Sequence, residues 1–421
     1  MTLPTVAIVK SDFHDNHTSA WGQVWINYCK EQNIKFDLID WRSLGAFEEL
    51  ASHDIVMWHY SHYSSDEMLF APNILSALKA RGCRVFPDLS DSLHFDDKVA
   101  QAYLLQALGL DAPVNYPLHS LDSVDEWIDK VGNFPIVAKL RTGSGSNNVS
   151  LIKNKYALKK YAIKMFNSGI DSRPSTVFKL KSNLKSTKSL KEFFKRLKRV
   201  PEFLFSRKSA KNLPKERGYV YLQEFIDNVN YDLKIAIVGD RLSFVARGTR
   251  PGEFRASGGG NLFYDKSLMD TDMIRSAFLA YDTLKSDCTG LDMIKDPRTN
   301  KPIILEVSYG FSHEAQLGAN GYFDRNAVWH DQPFNPPEAL LQKIIEEFEN
   351  SELYPKIDIE YFTYLLTNID SKFEDLKETI ENTSNLSWGR IQPVEKGIIL
   401  IGALELQSGI LDPHVTINEC I

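Results

Sequence analysis

Lys139 sits inside the apolar run Pro135–Leu140 (PIVAKL), and Lys98 follows Asp97 at the head of VAQAYLL. A charged side chain embedded in an apolar segment usually has a buried partner, because unpaired charge is rarely taken out of water. Directly after Lys139 comes Thr142-Gly143-Ser144-Gly145-Ser146, whose backbone N–H groups are unshielded by bulky side chains and suit close approach to phosphate oxygens. Taken alone, the same loop is better read as a hairpin connection. Farther on, Asp292 (in GLD) and Glu306 (in LEV) occupy apolar strand positions on either side of a turn at Pro297–Asn300. Two such carboxylates are explained by a shared magnesium ion. Leu222-Gln223-Glu224-Phe225-Ile226 reads either as a plain edge strand or as the edge against which a nucleotide base is held. Cations for phosphate, a donor-rich cover, a base slot and metal-binding carboxylates are together what ATP-dependent acyl activation requires.

These residues need elements to carry them. Thr5–Val9, Lys35–Ile39, Asp54–Trp58 and Arg84–Phe86 read as short buried strands, and Ala20–Glu31 and Ile74–Ala80 as helices between them. Such alternation predicts a parallel sheet with crossover helices over residues 1–95, Rossmann-like but without GxGxxG after the first strand. A helix over Asp96–Leu108, stopped at Gly109, leads into an α+β region. Its strands are predicted at Pro135–Leu140, Val149–Ile152, Tyr219–Phe225, Leu233–Val238, Leu242–Arg247, Gly290–Ile294 and Ile303–Val307, with a helix at Met273–Leu284. After Asn335-Pro336-Pro337 the pattern is helical. The expected fold class is therefore α/β and α+β with a short helical C-terminal module at 353–421.

In order along the chain, DK (97–98), VAKLRTGSGSNNV (137–149), QEFI (223–226), YDLKIAIVGD (231–240), FRASGGG (254–260), GLDMI (290–294) and ILEVS (304–308) resemble the ATP-grasp superfamily. The resemblance is nearest to its ribosomal-protein-S6-modifying glutamate-ligase-like branch. It spans roughly residues 85–330 and implies an ATP-grasp domain over 96–350, with a lid subdomain at about 115–225. It also implies that Lys98 and Lys139 contact ATP phosphates beneath the 142–148 loop (Gly143, Ser144, Gly145, Ser146). By the same matching, Gln223, Glu224, Phe225 and Ile226 hold adenine, Asp232 lies near the ribose, and Asp292, Glu306 and Ser308 bind Mg2+. Arg255, with Arg247 or Arg250, faces the acyl phosphate or the acceptor. The chain departs from the family at Ser308, where Asn is usual, and at Lys234, where the branch commonly has Arg; Lys and Arg are not interchangeable as carboxylate clamps.

Composition agrees with an ordinary globular chain: 421 residues, 43% hydrophobic, 25% charged, net charge −6. The longest apolar run, Gly397–Leu404, is short of the roughly 20 residues that cross a bilayer, and no signal pattern opens the sequence, so the expectation is a cytoplasmic protein. Cys29, Cys83, Cys288 and Cys420 lack CxxC spacing and read as reduced and buried. His14, His17 and His313 read as structural or surface histidines, although His313 follows the Glu306 strand closely.

Residues 175–217 carry fourteen Lys and Arg against Glu192, Glu202 and Glu216. Within them KSLKEFFKRLKRVPEFLF is a basic amphipathic element, suited either to packing as a lid or, over 179–217, to touching an anionic surface. Residues 357–421, through WGRIQPVEKGIILIGALEL and VTINECI, resemble the C-terminal half of the NusB antitermination family. The expected activity is carboxylate–amine ligation with ATP and Mg2+, on a small-molecule or saccharide-linked carboxylate with an amine acceptor. Phosphotransfer, or binding of RNA or a transcription complex through the basic stretch and the tail, are the competing readings.

Overall fold

The computed structural model describes residues 3–11, 20–62, 64–143, 148–172, 215–249, 262–350, 359–383 and 388–409. The chain divides into two compact units, Met1–Glu347 and Phe348–Ile421.

The first unit begins with four short parallel strands, β1 (Val6–Val9), β2 (Phe36–Ile39), β3 (Ile55–Met57) and β4 (Arg84–Phe86), in the order β2-β1-β3-β4. The intervening helices are α1 (Trp21–Glu31), α2 (Ala46–Ala51), α3 (Ser65–Ala80) and α4 (Leu89–His94). Because β1 and β3 are covered on both faces, they are apolar throughout and completely buried. Trp21 and Trp25 on α1 anchor this layer. Their indole N–H groups donate to the carbonyls of Phe311 (3.1 Å) and Pro337 (2.8 Å), far along the chain.

Helix α5 (Lys98–Ala107) starts where the Asp97 carboxylate accepts from the N–H groups of Val99 and Ala100, so the cap fixes the place of Lys98 in its first turn. A four-stranded antiparallel sheet follows, built from β5 (Asn115–Leu118), β6 (Ile136–Lys139), β7 (Ser150–Ile152) and β8 (Val220–Glu224) in the order β5-β8-β6-β7. Helices α6 (Leu121–Lys130) and α7 (Lys155–Phe166), which the sequence reading did not place, share its core through Trp127, Leu158 and Met165.

The largest sheet is antiparallel and contains β9 (Tyr231–Val238), β10 (Arg241–Gly248), β11 (Leu262–Phe263), β12 (Thr289–Lys295), β13 (Pro302–Ser308), β14 (Tyr322–Phe323) and β15 (Trp329–His330). Its order is β13-β12-β9-β10-β14-β15, with β11 on β10. Helix α8 (Thr271–Leu284), capped by Asp270, packs seven buried residues against its apolar face. Helices α9 (His313–Leu317) and α10 (Pro336–Glu349) complete the unit.

The second unit consists of α11 (Ile359–Ser371), α12 (Phe373–Thr383) and α13 (Pro393–Ser408), which bury Leu365, Leu376, Ile380, Leu400 and Leu404 together. The architecture is thus mixed α/β and α+β with a helical C-terminal piece. Among the described residues no helix is long and apolar enough to cross a membrane, and Cys29, Cys83 and Cys288 are free and buried.

Candidate functional site

A cavity of about 270 Å³ in the first unit is lined from both antiparallel sheets, from the head of α5 and from the turn after β13. It gathers Lys98, Lys139, Gly143, Gln223, Glu224, Phe225, Ile226, Asp232, Arg247, Asp292, Glu306 and Ser308. Ser144, Gly145, Ser146, Arg250 and Arg255 lie outside the described residues, as do His14, His17, Cys420 and all but the last three residues of the basic stretch 175–217. His313 is buried at the start of α9 and is not among the lining residues.

Register explains why the charged residues of the larger sheet meet. Asp292 on β12 stands opposite Lys234 on β9 and opposite Glu306 on β13, while Arg247 on β10 stands opposite Asp232 on β9. Directly opposed residues on adjacent strands bring their side chains within reach of one another. Lys234 Nζ lies 2.8 Å from Asp292 Oδ1. Arg247 grips Asp232 through two bonds, of 2.7 and 2.9 Å, and also donates to Asp292 Oδ2 at 2.7 Å. Burial pushes the Asp292 carboxyl up, but Arg247 and Lys234 outweigh it and hold the group well below the usual carboxylate range. For Asp232 the balance falls the other way, with burial and then the nearby Asp292 charge raising it against the pull of Arg247.

A β-bulge sharpens this face. Asp292 pairs with Glu306 but Met293 pairs with Ile304, leaving Leu305 as the extra residue. Bulges re-aim side chains, and here two consecutive residues, Leu305 and Glu306, both line the cavity. Leu305 joins Ile226, Val229 and Ile294 in an apolar patch, while Glu306 keeps its carboxylate toward the charged end. Gly290, opposite Ser308, leaves no room for a side chain, since a Cβ there would stand 2.7 Å from the Phe311 ring.

On the opposite wall, Lys139 Nζ donates to Gln223 Oε1 at 2.6 Å. The Gln223 amide is held by Asn115, whose Oδ1 accepts from Gln223 Nε2 (3.0 Å) and from the Tyr221 hydroxyl (2.7 Å). Burial drives the Lys139 ammonium down to about 8, and the Glu306 carboxylate offsets this only in part. Lys98 differs. Burial lowers it too, but the carboxylates of Glu306, Asp96 and Asp292 together bring it above its ordinary value. Its Nζ donates to the Gly143 carbonyl at 2.7 Å, and the Gly143 N–H donates to both oxygens of Asp96 at 3.0 Å. The entrance of the glycine loop is therefore tied to the start of α5, with Asp96 at φ 50 and Gly143 at φ 114. Asp is one of the few residues that takes this left-handed conformation at low cost.

Several expected ligands have other partners in this structure. The Glu224 carboxylate pairs with Arg298 at 2.5 Å and accepts from the Val114 N–H at 3.3 Å, so it forms the rim of the apolar patch as an ion pair. The Asp232 carboxylate is taken up by Arg247. The Ser308 hydroxyl donates to the Gly310 carbonyl (2.7 Å) and accepts from the Gly310 N–H (3.1 Å), closing the turn after β13. Among the described residues no three His, Cys, Asp or Glu side chains form a metal-ligating group. Glu306 is the carboxylate best placed for a divalent ion: its nearest cation, Lys98 Nζ, is 3.9 Å away. Asp96, Asn115 and Leu305 were not singled out from sequence; the DDK triplet and the apolar neighbours of Glu306 are the signals that pointed to two of them.

Solved structures similar to this chain include D-cycloserine synthetase DcsG (11% identity, TM-score 0.49, covering 82% of this chain and 99% of that one). Others are a RimK domain ATP-grasp protein from Sphaerobacter thermophilus (11%, 0.45, 81% and 99%) and D-alanine–D-alanine ligase from Bacillus anthracis (13%, 0.45, 82% and 96%).

At the other end, residues 329–421 match the NusB family. Transcription antitermination protein NusB of Nitrosospira multiformis is 32% identical over 76 residues, 18% of this chain. The chain spans about half the length of that relative, 48%. The matched segment begins in the first unit, at β15, and takes in α10 as well as the three helices of the second.

Proposed function

We propose that the chain is an ATP-dependent ligase of the ATP-grasp type. It would activate a carboxylate as an acyl phosphate and join it to an amine or similar nucleophile, with release of ADP and phosphate. The observation that carries this reading is the convergence of Lys98, Lys139, Gly143, an apolar patch and Glu306 on one cavity. The patch formed by Ile226, Val229, Ile294 and Leu305 accepts the base, with Glu224 and Phe225 at its edge. Lys98 and Lys139 neutralise phosphate oxygens, and both are desolvated, where such contacts act most strongly. Glu306 would hold a magnesium ion, which would supply charge neutralisation to the phosphates. The acid's oxygen then attacks the γ-phosphorus as the bond to ADP breaks. The amine attacks the acyl carbon, phosphate leaves, and the amine proton passes to solvent or base. Arg247 keeps Asp232 and Asp292 in place at the acceptor end of the cavity.

The test is a screen of acid and amine pairs for phosphate release. Release that requires both partners supports ligation. A phosphorylated acid that accumulates without release to the medium marks a phosphotransferase, and absence of nucleotide binding sinks both. The NusB match supports a second reading for the C-terminal segment, contact with RNA or a transcription complex. It expects RNA affinity that falls steeply with salt and survives loss of ATP turnover.

A further inference from the structure

Glu306, Asp292 and Lys234 stand in one cross-strand row over β13, β12 and β9. Asp292, a carboxylate of the kind that holds a divalent ion, has a cation at each oxygen: Oδ2 accepts a hydrogen bond from Arg247 at 2.7 Å, and Oδ1 lies 2.8 Å from Lys234 Nζ as an ion pair without hydrogen-bond alignment. The two cations are not equivalent. Arg247 is committed by a two-bond grip to Asp232, its own cross-strand partner, whereas Lys234 pairs, among the described residues, with Asp292 alone. Magnesium takes oxygen donors at about 2.0–2.1 Å in a near-octahedral shell, so an ion on Asp292 would have to displace a fixed ammonium. The next oxygen along, Ser308 Oγ, is engaged on both its donor and acceptor sides by Gly310. Of these groups Glu306 is the open one, 29% exposed and, among the described residues, without a cation closer than 3.9 Å.

We propose that Lys234 takes the place a divalent ion would have on Asp292, so that the nucleotide site works with a single ion, held on Glu306 and carried in with the phosphates. The inference rests on the nucleotide reading above. It also assigns a consequence to lysine at this position: a compact ammonium makes one short contact with Asp292, with its charge lodged where an ion would sit.

The full-length chain is saturated with ADP and titrated with Mn2+, and free Mn2+ is counted by electron paramagnetic resonance, with ADP binding measured in parallel by calorimetry. One Mn2+ per ADP-bound chain is expected. Lys234→Met, which frees Oδ1 of Asp292, should double this to two, and Lys234→Arg should leave it at one; Lys234→Gln replaces the Met variant should that one fail to fold. Two Mn2+ in the unaltered chain, or one in the chain lacking the charge at 234, overturns the inference while leaving the nucleotide reading intact. A chain that binds no ADP overturns both.

Discussion

On the four-stranded wall of the cavity, a buried lysine faces an amide; on the seven-stranded wall, Lys234 and Arg247 face carboxylates. Lys139, with Gln223 as its direct partner, is pushed down to about 8 by burial. Arg247, with Asp292 and Asp232 around it, is held above its ordinary value although burial opposes this. The difference lies in what compensates the charge. On the seven-stranded wall the Lys234–Asp292–Arg247–Asp232 cluster is electrically complete without a ligand, so it holds shape. The four-stranded wall leaves a cation short of an anion, and a phosphate is the group that supplies it.

The largest expected effect breaks the complete wall. Asp292→Ala strands Lys234 and Arg247, and removing one partner of a buried ion pair costs about 3 to 5 kcal/mol. Lys139→Met strands only an amide and should cost less than about 1 kcal/mol or stabilise the fold. Urea midpoints of the two variants decide this, and equal losses would erase the contrast between the walls. For turnover the order reverses in meaning. Lys139→Met and Glu306→Ala keep their fold by circular dichroism, yet each should lower kcat by about 10² to 10³, the usual consequence of removing one electrostatic contact to the reacting group.

The next effect follows from pH. Phosphate binds the charged form of Lys139, and the free site holds that form only below about 8. ADP affinity is therefore expected to be level below pH 8 and to fall above it, by up to about tenfold per unit, with proton uptake on binding. Calorimetry in buffers of different ionisation enthalpy reads the uptake, and Lys139→Met should abolish it. Lys98, raised by its carboxylates, gives no such step. A profile unchanged in Lys139→Met would assign the titration elsewhere.

Much of this contrast was legible in sequence, and the reason is local. Lys139, Asp292 and Glu306 each interrupt an apolar strand, and charge inside such a run has few explanations. Asp97 before an apolar periodic stretch announced α5. What sequence could not carry was register. That Asp292 meets Lys234 on one side and Glu306 on the other depends on which residues of three strands stand opposite, and the bulge that turns Leu305 into the cavity is a one-residue slip. The partners of Glu224 and Ser308 are likewise tertiary: Arg298 lies 74 positions away, and the Gly310 bond exists because the chain turns sharply after β13.

A smaller effect sharpens the four-stranded wall. Asn115 touches no ligand in this reading; it holds the Gln223 amide so that the carbonyl faces Lys139. Asn115→Ala is expected to raise the KM for ATP about twofold to tenfold, the worth of one hydrogen bond, with kcat little changed. Because the freed amide can present either end to Lys139, the pH midpoint of ADP binding should also move. A KM change without that movement would mean that Asn115 supports the sheet alone.

The smallest expected effect concerns residues 353–421. Every lining residue of the cavity lies between His62 and Gly310, inside the unit that ends at Glu347. The second unit has a core of its own, with Leu376 and Leu404 fully buried among α11, α12 and α13. Because every described lining residue belongs to the first unit, deleting 353–421 should leave ATP turnover within about twofold. The NusB match does not coincide with this division, since it begins at residue 329 and includes α10, whose buried residues pack within the first unit. Cutting at 353 keeps α10, along with the Trp25 bond to the Pro337 carbonyl and the Lys343 bond to Asp287. Cutting at 329 removes all three and should cost the fold itself. Loss of turnover in a soluble 1–352 chain that keeps its circular dichroism would mean that the helical module contributes to catalysis, and that the contrast between the two walls leaves out a participant.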